Sequence, residues 1–274
     1  MTVGFAVKVA PRGTGRKAGS AGDMTRRAGN LPVRNGLAIA PRLPMLSPKQ
    51  PLPEDTMSLR INDTAPDFTA NSTEGEIRFH DWIGDSYAIL FSHPRDFTPV
   101  CTTEFGAVAQ LAAEWEKRNT KVIGVSVDSV DDHQKWKNDI AAFARSPADF
   151  PMIDDTDLAV SKAYDMLPAD YYLPAEGRTP AHSATVRTVY IIGPDKKVRL
   201  TMTYPMSVGR NFAEILRALD AVQKTDGAPL ATPANWMPGQ DVIVALSLDD
   251  AAAEAKYGTL DKKLPYLRFA KDPA

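Results

Sequence analysis

The sequence predicts an α/β protein, a sheet covered by helices on both faces. Three observations carry that prediction. Short strand-like apolar runs at residues 86–92 and 121–127 alternate with segments of helical apolar spacing at 102–118 and 129–145. A strand–turn–strand signal follows, with runs at 186–192 and 198–204 on either side of Gly193-Pro194-Asp195-Lys196-Lys197. A further helical segment at 209–223 comes next. Strands alternating with helices, then a hairpin and a helix, bury their apolar faces most simply in layers.

Each element has a local reason. The run Tyr87-Ala88-Ile89-Leu90-Phe91 is apolar on successive residues, as a strand buried on both faces requires, and it is far too short to cross a bilayer. In 102–118 the apolar positions are Phe105, Val108, Leu111, Ala112 and Trp115, which share one helical face. The helix at 129–145 opens on a Ser cap, with Asp131 and Asp132 in its first turn. Near Thr225 the composition shifts. Residues 225–233 read as a linker, 241–247 as an alternating strand and 249–257 as a short Ala/Glu helix. That tail is small for a core of its own, so it is expected to pack on the main domain or on a second subunit. No internal repeat is visible.

Of the 274 residues, 43% are hydrophobic and 24% charged, the balance of a soluble globular chain. The net charge of −2 conceals an asymmetry: residues 1–56 carry nine basic and three acidic side chains, and the rest of the chain is net acidic. An acidic body argues against general nucleic-acid binding. Residues 1–56, rich in Gly, Pro, Arg and Ala, read as a disordered basic extension. Three origins fit: a transit segment, an arm for nucleic acid or membrane, or a misassigned start, since Met57 directly precedes the first globular pattern. No secretory-type apolar segment is present, so export is not expected. The expected home is the cytoplasm, or an organelle if residues 1–56 are a true transit peptide.

Cys101 is the only cysteine. It rules out an intramolecular disulfide and any metal site with more than one Cys ligand. It follows a strand ending near Ser92 and a proline-bearing loop, which places it in the first turn of a helix. The unsatisfied N–H groups and the dipole of that end favour an anion, and so a thiolate over a thiol. Pro94 and Pro99 remove backbone donors and fix the loop; Thr98 can offer its hydroxyl to the sulfur or to a bound oxygen. The alternative is a buried structural thiol.

The string Phe91-Ser92-His93-Pro94-Arg95-Asp96-Phe97-Thr98-Pro99-Val100-Cys101-Thr102-Thr103-Glu104 resembles the active site of the one-Cys peroxiredoxins of the peroxiredoxin-six subfamily, and the similarity runs from about residue 58 to 268. The resemblance implies a thioredoxin-like fold, a central mixed sheet with flanking helices over 57–224, and a small C-terminal dimerisation domain over 225–274. It implies reduction of hydrogen peroxide and of organic hydroperoxides, including lipid ones. Cys101 would be the peroxidatic thiolate, attacking the distal peroxide oxygen and becoming a sulfenic acid. Thr98 would bond the peroxide, and Pro94 would shield the sulfenate. Arg187 matches the family's active-site arginine and would stabilise the thiolate and the leaving oxygen. Glu104 would orient that Arg, or serve only as a first-turn carboxylate. Arg210 matches a second family arginine that helps position the loop, or is a surface Arg at a helix start. His93 would tune the thiol or meet the reducing partner, or be a structural His.

With no second cysteine, the reductant is expected from outside: glutathione, a thioredoxin or glutaredoxin system, or ascorbate. No cofactor is expected. No metal is expected either, since His80, His133 and His182 show no ligand spacing with His93. Some family members also carry a phospholipase A2-like activity. The matching positions are Ser86, His80 and Asp195, though Ala88 stands where a G-x-S-x-G elbow needs its second Gly, and Gly84-Asp85-Ser86 and Asp195 also read simply as turn residues. The tail resembles the subfamily's C-terminal domain, with Trp236 and Tyr266 as anchors of a subunit interface or as intrachain core. A homodimer or larger assembly is expected, without nucleic acid or stable membrane insertion. Two other classes compete: a redox sensor or relay, which need not turn over with bulk reductant, and a holdase, whose activity would survive Cys101→Ser.

Overall fold

The computed structural model describes residues 58–174 and 176–273; the expectation for 1–56 lies outside the described residues. A hairpin, β1 (Thr69–Ser72) and β2 (Gly75–Arg78), leads through α1 (Phe79–Ile83) into β3 (Tyr87–Ser92). Then come α2 (Pro99–Gln110), α3 (Ala112–Lys117), β4 (Thr120–Ser126), α4 (Val130–Ala144), β5 (Met152–Asp154) and α5 (Ala159–Ala163). The antiparallel pair β6 (Arg187–Ile192) and β7 (Val198–Tyr204) precedes α6 (Phe212–Thr225). The seven strands form one mixed sheet in the order β2-β1-β5-β4-β3-β6-β7. The pairs β3–β4 and β4–β5 are parallel, and β6 runs antiparallel to β3.

The alternation of β3 shows how the layers form. Ile89 and Phe91 join one apolar cluster with Val108 of α2, Trp115 of α3, Trp136 and Ile140 of α4, and Ile215 and Leu219 of α6. Ala88 and Leu90 join another with Phe79 and Ile83 of α1 and with Val160 of α5. A strand with successive residues in two cores must be apolar throughout, and β3 is. Two of the helices, α4 and α6, start where capping side chains stand: Ser129 accepts from Asp132 N, and Asn211 from Ala213 N and Glu214 N.

Two expectations change in detail. The helix expected over 102–118 is two helices, because Leu111 takes a non-helical conformation that starts the chain anew at Ala112. The tail also makes more structure than its composition suggested. Strands β8 (Leu230–Ala231), β9 (Val242–Val244), β10 (Asp261–Leu264) and β11 (Leu267–Ala270) form a second sheet in the order β10-β11-β9-β8 beside α7 (Asp250–Tyr257). Its small core includes Trp236, Val242, Val244 and Ala253, with Ala221 of α6 packed against it. Trp236 is buried within this chain, with Nε1 donating to Gln240 O at 2.9 Å, whereas Tyr266 is 64% exposed. Of the two expected interface anchors, only Tyr266 presents an open face.

Candidate functional site

The loop after β3 is built on buried polar bonds. His93 N donates to Val125 O at 3.0 Å, and Thr185 Oγ1 donates to His93 O at 2.7 Å. Pro94 is buried behind it. Thr98 is the N-cap of α2 and Pro99 its first residue, so Cys101 stands in the first turn, as expected. Cys101 is fully buried. In this state Thr98 Oγ1 donates to Arg95 O at 2.9 Å and not to the sulfur. Its lone pairs remain available to a donor.

Arg187 opens β6 with all but 3% of its surface buried. Its Nη1 lies 3.4 Å from Cys101 Sγ and 2.6 Å from Glu104 Oε2, and its Nε donates to Met206 O at 2.8 Å. Arg210 holds the same carboxylate: its Nε and Nη2 reach Glu104 Oε1 and Oε2 at 2.9 and 2.7 Å, and its backbone N reaches Oε1 at 2.7 Å. The Arg210 guanidinium also lies over the rings of Phe91 and Phe212. Burial pushes the Glu104 carboxyl up, but the hydrogen bonds and charge of Arg210, with Arg187 behind them, outweigh it and hold the group below its ordinary value. Burial lowers Arg210 from its ordinary value despite Glu104. Two guanidinium groups share one carboxylate, so one positive charge is left to face an anion at the sulfur.

His93, also fully buried, stacks on Trp136 and meets Phe105 edge-on. Its Nε2 lies 2.7 Å from Asp96 Oδ1, and His133 Nδ1 lies 2.6 Å from Asp96 Oδ2. The expectation that the other histidines show no metal-ligand spacing with His93 is corrected for one of them: forty residues apart in the chain, His93 and His133 share one carboxylate. The trio has a metal-like donor set, but its three groups are committed to one another at hydrogen-bond distance. Asp96 and His133 were missed as site residues. Their one signal was a histidine on the apolar stripe of α4, in phase with Trp136 and Ile140.

The set Ser86, His80 and Asp195 is not brought into one hydrogen-bonded group. Ser86 Oγ donates to Asn119 Oδ1 at 3.0 Å, His80 Nε2 lies 2.8 Å from Ala65 O, and Asp195 takes Arg199 Nη2 at 3.0 Å.

A mixed sheet that delivers one buried cysteine to a helix N-terminus, against an arginine held by a carboxylate, defines a thiol peroxidase of one-cysteine type. Comparison with known proteins agrees. The AhpC/TSA family model matches residues 61–201, and the model for the C-terminal domain of 1-Cys peroxiredoxin matches 221–259. Mitochondrial peroxiredoxin PRX1 of Saccharomyces cerevisiae is 47% identical over 224 residues, 81% of this chain and 85% of that protein. Peroxiredoxin-6 of Rattus norvegicus is 47% identical over 225 residues, 78% of this chain and 98% of that protein. Among solved structures, a mutant peroxiredoxin 6 of Arenicola marina superposes with a TM-score of 0.73 at 38% identity, covering 79% of this chain and 99% of that one. A yeast mitochondrial 1-Cys peroxiredoxin, studied for thiol resolution via glutathione/thioredoxin systems, superposes at 0.71 with 48% identity, covering 78% and 99%. The chain belongs to the AhpC/TSA family, as a one-cysteine peroxiredoxin, and its activity is that of a thiol-dependent peroxidase.

The Glu104 network carries a pH prediction. A carboxyl held below its ordinary value of 4.5 contributes stability that is fully present above that value and is lost as pH falls through the lower folded value. Glu104→Gln leaves two buried guanidinium groups without their counter-charge and should cost roughly 3–5 kcal/mol at neutral pH. Urea unfolding of both proteins from pH 3 to 7 checks this. The gap should narrow on the acid side, and a gap that does not change with pH would show that the charge of Glu104 is not what matters.

Proposed function

We propose that Cys101 is the peroxidatic residue and that Arg187, Thr98 and Pro94 form its peroxide site, supported by Glu104, Arg210 and His93. The observation that carries this reading is the 3.4 Å approach of Arg187 Nη1 to a fully buried sulfur, with the same Nη1 bonded to Glu104. The thiolate attacks the distal oxygen of the hydroperoxide. The S–O bond forms as the O–O bond breaks, the sulfur is oxidised to a sulfenic acid, and the leaving oxygen departs as water or an alcohol after taking a proton. Arg187 faces both the anionic sulfur and the charge that develops on the leaving oxygen. One external thiol then displaces water to form a mixed disulfide, and a second thiol releases Cys101. Glutathione and the thioredoxin system are supported as donors by the solved yeast relative. Hydrogen peroxide and small organic hydroperoxides are the proposed substrates.

The remaining organisation is proposed on the same footing. The division into a peroxidase domain over 57–224 and a second domain over 225–274 is supported by the separate small sheet of the tail. Edge strand β7 offers its length beyond Val198, which already pairs with Asn62 and Asp63, and Leu264 and Tyr266 are exposed on the tail, which supports a homodimer. The basic, acid-poor segment 1–56 and the likeness to a mitochondrial yeast relative favour an organellar address over a cytoplasmic one. No helix of the described residues is long and apolar enough to cross a membrane.

Three measurements bear on this reading. In stopped-flow mixing with hydrogen peroxide, the reduced protein should gain one oxygen in a fast second-order step that Cys101→Ser abolishes and Arg187→Ala slows about 100–1,000-fold, the loss expected for one preorganised donor. A wild-type rate no better than that of a free small thiol would overturn the peroxidase assignment. Sedimentation velocity should give a dimer at micromolar concentration, and a monomer there would remove the pairing proposal. Residues 1–56 fused to a fluorescent protein should reach an organelle, and diffuse cytosolic signal would return the protein to the cytoplasm.

A further inference from the structure

His133, Asp96 and His93 form a fully interior polar chain, with side chains 0–2% exposed. With Asp96 ionised, the direction in which its bonds to the two histidines hold it, both ring nitrogens of His133 face acceptors: Asp96 Oδ2 at 2.6 Å and Ile153 O at 3.1 Å. Both therefore carry protons, and His133 is an imidazolium paired with an ionised Asp96. The other oxygen of that carboxylate also only accepts, so His93 presents Nε2–H to it at 2.7 Å. His93 Nδ1 has no partner among the described residues and is buried; a second proton there would be an unpaired buried donor, so His93 is neutral. The titration directions agree. Burial lowers His93. Burial also opposes charge on His133 and Asp96, but their mutual bond outweighs it, raising His133 and lowering Asp96.

The pair sits under the peroxide loop. Asp96 lies midway between Pro94 and Thr98, and its backbone N donates to Asp128 Oδ2 at 2.9 Å. Asp128 is tied in turn to β4, since Ser126 Oγ donates to the same oxygen at 2.8 Å. The next residue, Phe97, is held at a positive φ of 54°, a conformation a non-Gly residue keeps only when its surroundings over-determine it. The side chain of Asp96 is thus gripped from α4 by His133, and its main chain from the end of β4. The grip bears on the loop rather than on the sulfur: Cys101 takes its charge partner from Arg187 on β6.

We propose that Asp96 and His133 are positioning residues for the peroxide step: their buried ion pair fixes the Pro94–Thr98 loop, and so sets where the peroxide is held, without setting the nucleophilicity of Cys101. This rests on the peroxidase reading. A displacement of about 1 Å in such a loop can cost on the order of 100-fold in rate.

The test compares two reactions of the same sulfur in the full chain: oxidation by hydrogen peroxide, which needs the loop in place to hold the oxidant, and alkylation by iodoacetamide, which needs the thiolate and access to the buried sulfur but not that geometry. His133→Leu removes the cation. His133→Asn keeps an N–H near the Nδ1 position without the charge, and it decides the question if the Leu variant fails to fold. Peroxide oxidation should fall about 10–100-fold in His133→Leu and less in His133→Asn, with alkylation unchanged or faster in both. Equal loss of the two rates would make the pair a merely structural support, and unchanged peroxide oxidation would overturn the proposal outright. A wild-type protein that is itself slow with peroxide would instead bring down the peroxidase reading on which the proposal rests.

Discussion

Glu104 sits between two buried guanidinium groups, and the placement of both depends on its charge. Arg187 comes from the start of β6 and Arg210 from the segment before α6, while Glu104 rides on α2, one helical turn beyond Cys101. A carboxylate that takes four hydrogen bonds from these arginines joins three separate parts of the chain at one point. Such a network costs desolvation to assemble, and a hydrophobic replacement of equal volume is often as stable. Its value lies in geometry and in sign: it aims Arg187 Nη1 at the sulfur and leaves one uncompensated positive charge there.

The fold explains why that point is buried and rigid. Strand β3 lies between β4 and β6, with both faces covered, and it ends where the loop leading to Cys101 begins. Phe105, one residue after Glu104, packs against Phe91, Trp136 and Phe150. Gly124 of β4 permits this: a Cβ there would stand 2.9 Å from the Phe105 ring. The aromatic cluster that fills the core therefore also sets the height of α2 above the sheet, and with it the position of Cys101.

On the other side of the loop a second ion pair, His133 with Asp96, does a different task. One network supplies charge to the sulfur from β6, and the other holds the loop from α4 and β4.

Much of this was legible in the chain itself. Apolar runs and helical spacings place β3, β4, α4, β6, β7 and α6 within a few residues, because those elements are long and strongly patterned. The placement of Cys101 in the first turn of a helix follows from the prolines and Thr98 around it, since those are local backbone effects. The short hairpin β1–β2, the three-residue β5 and every strand of the tail sheet except β9 were not legible: such pieces gain stability from neighbours distant in sequence, not from their own pattern. For the same reason Trp236 could not be assigned to a core or an interface. Glu104 and Arg187 were visible as candidates, but their contact, 83 residues apart, exists only once β6 lies beside β3. His93, Asp96 and His133 carry the same lesson. Sequence spacing describes neighbours along one helix or strand, whereas a shared buried carboxylate is decided by which elements the sheet order brings together.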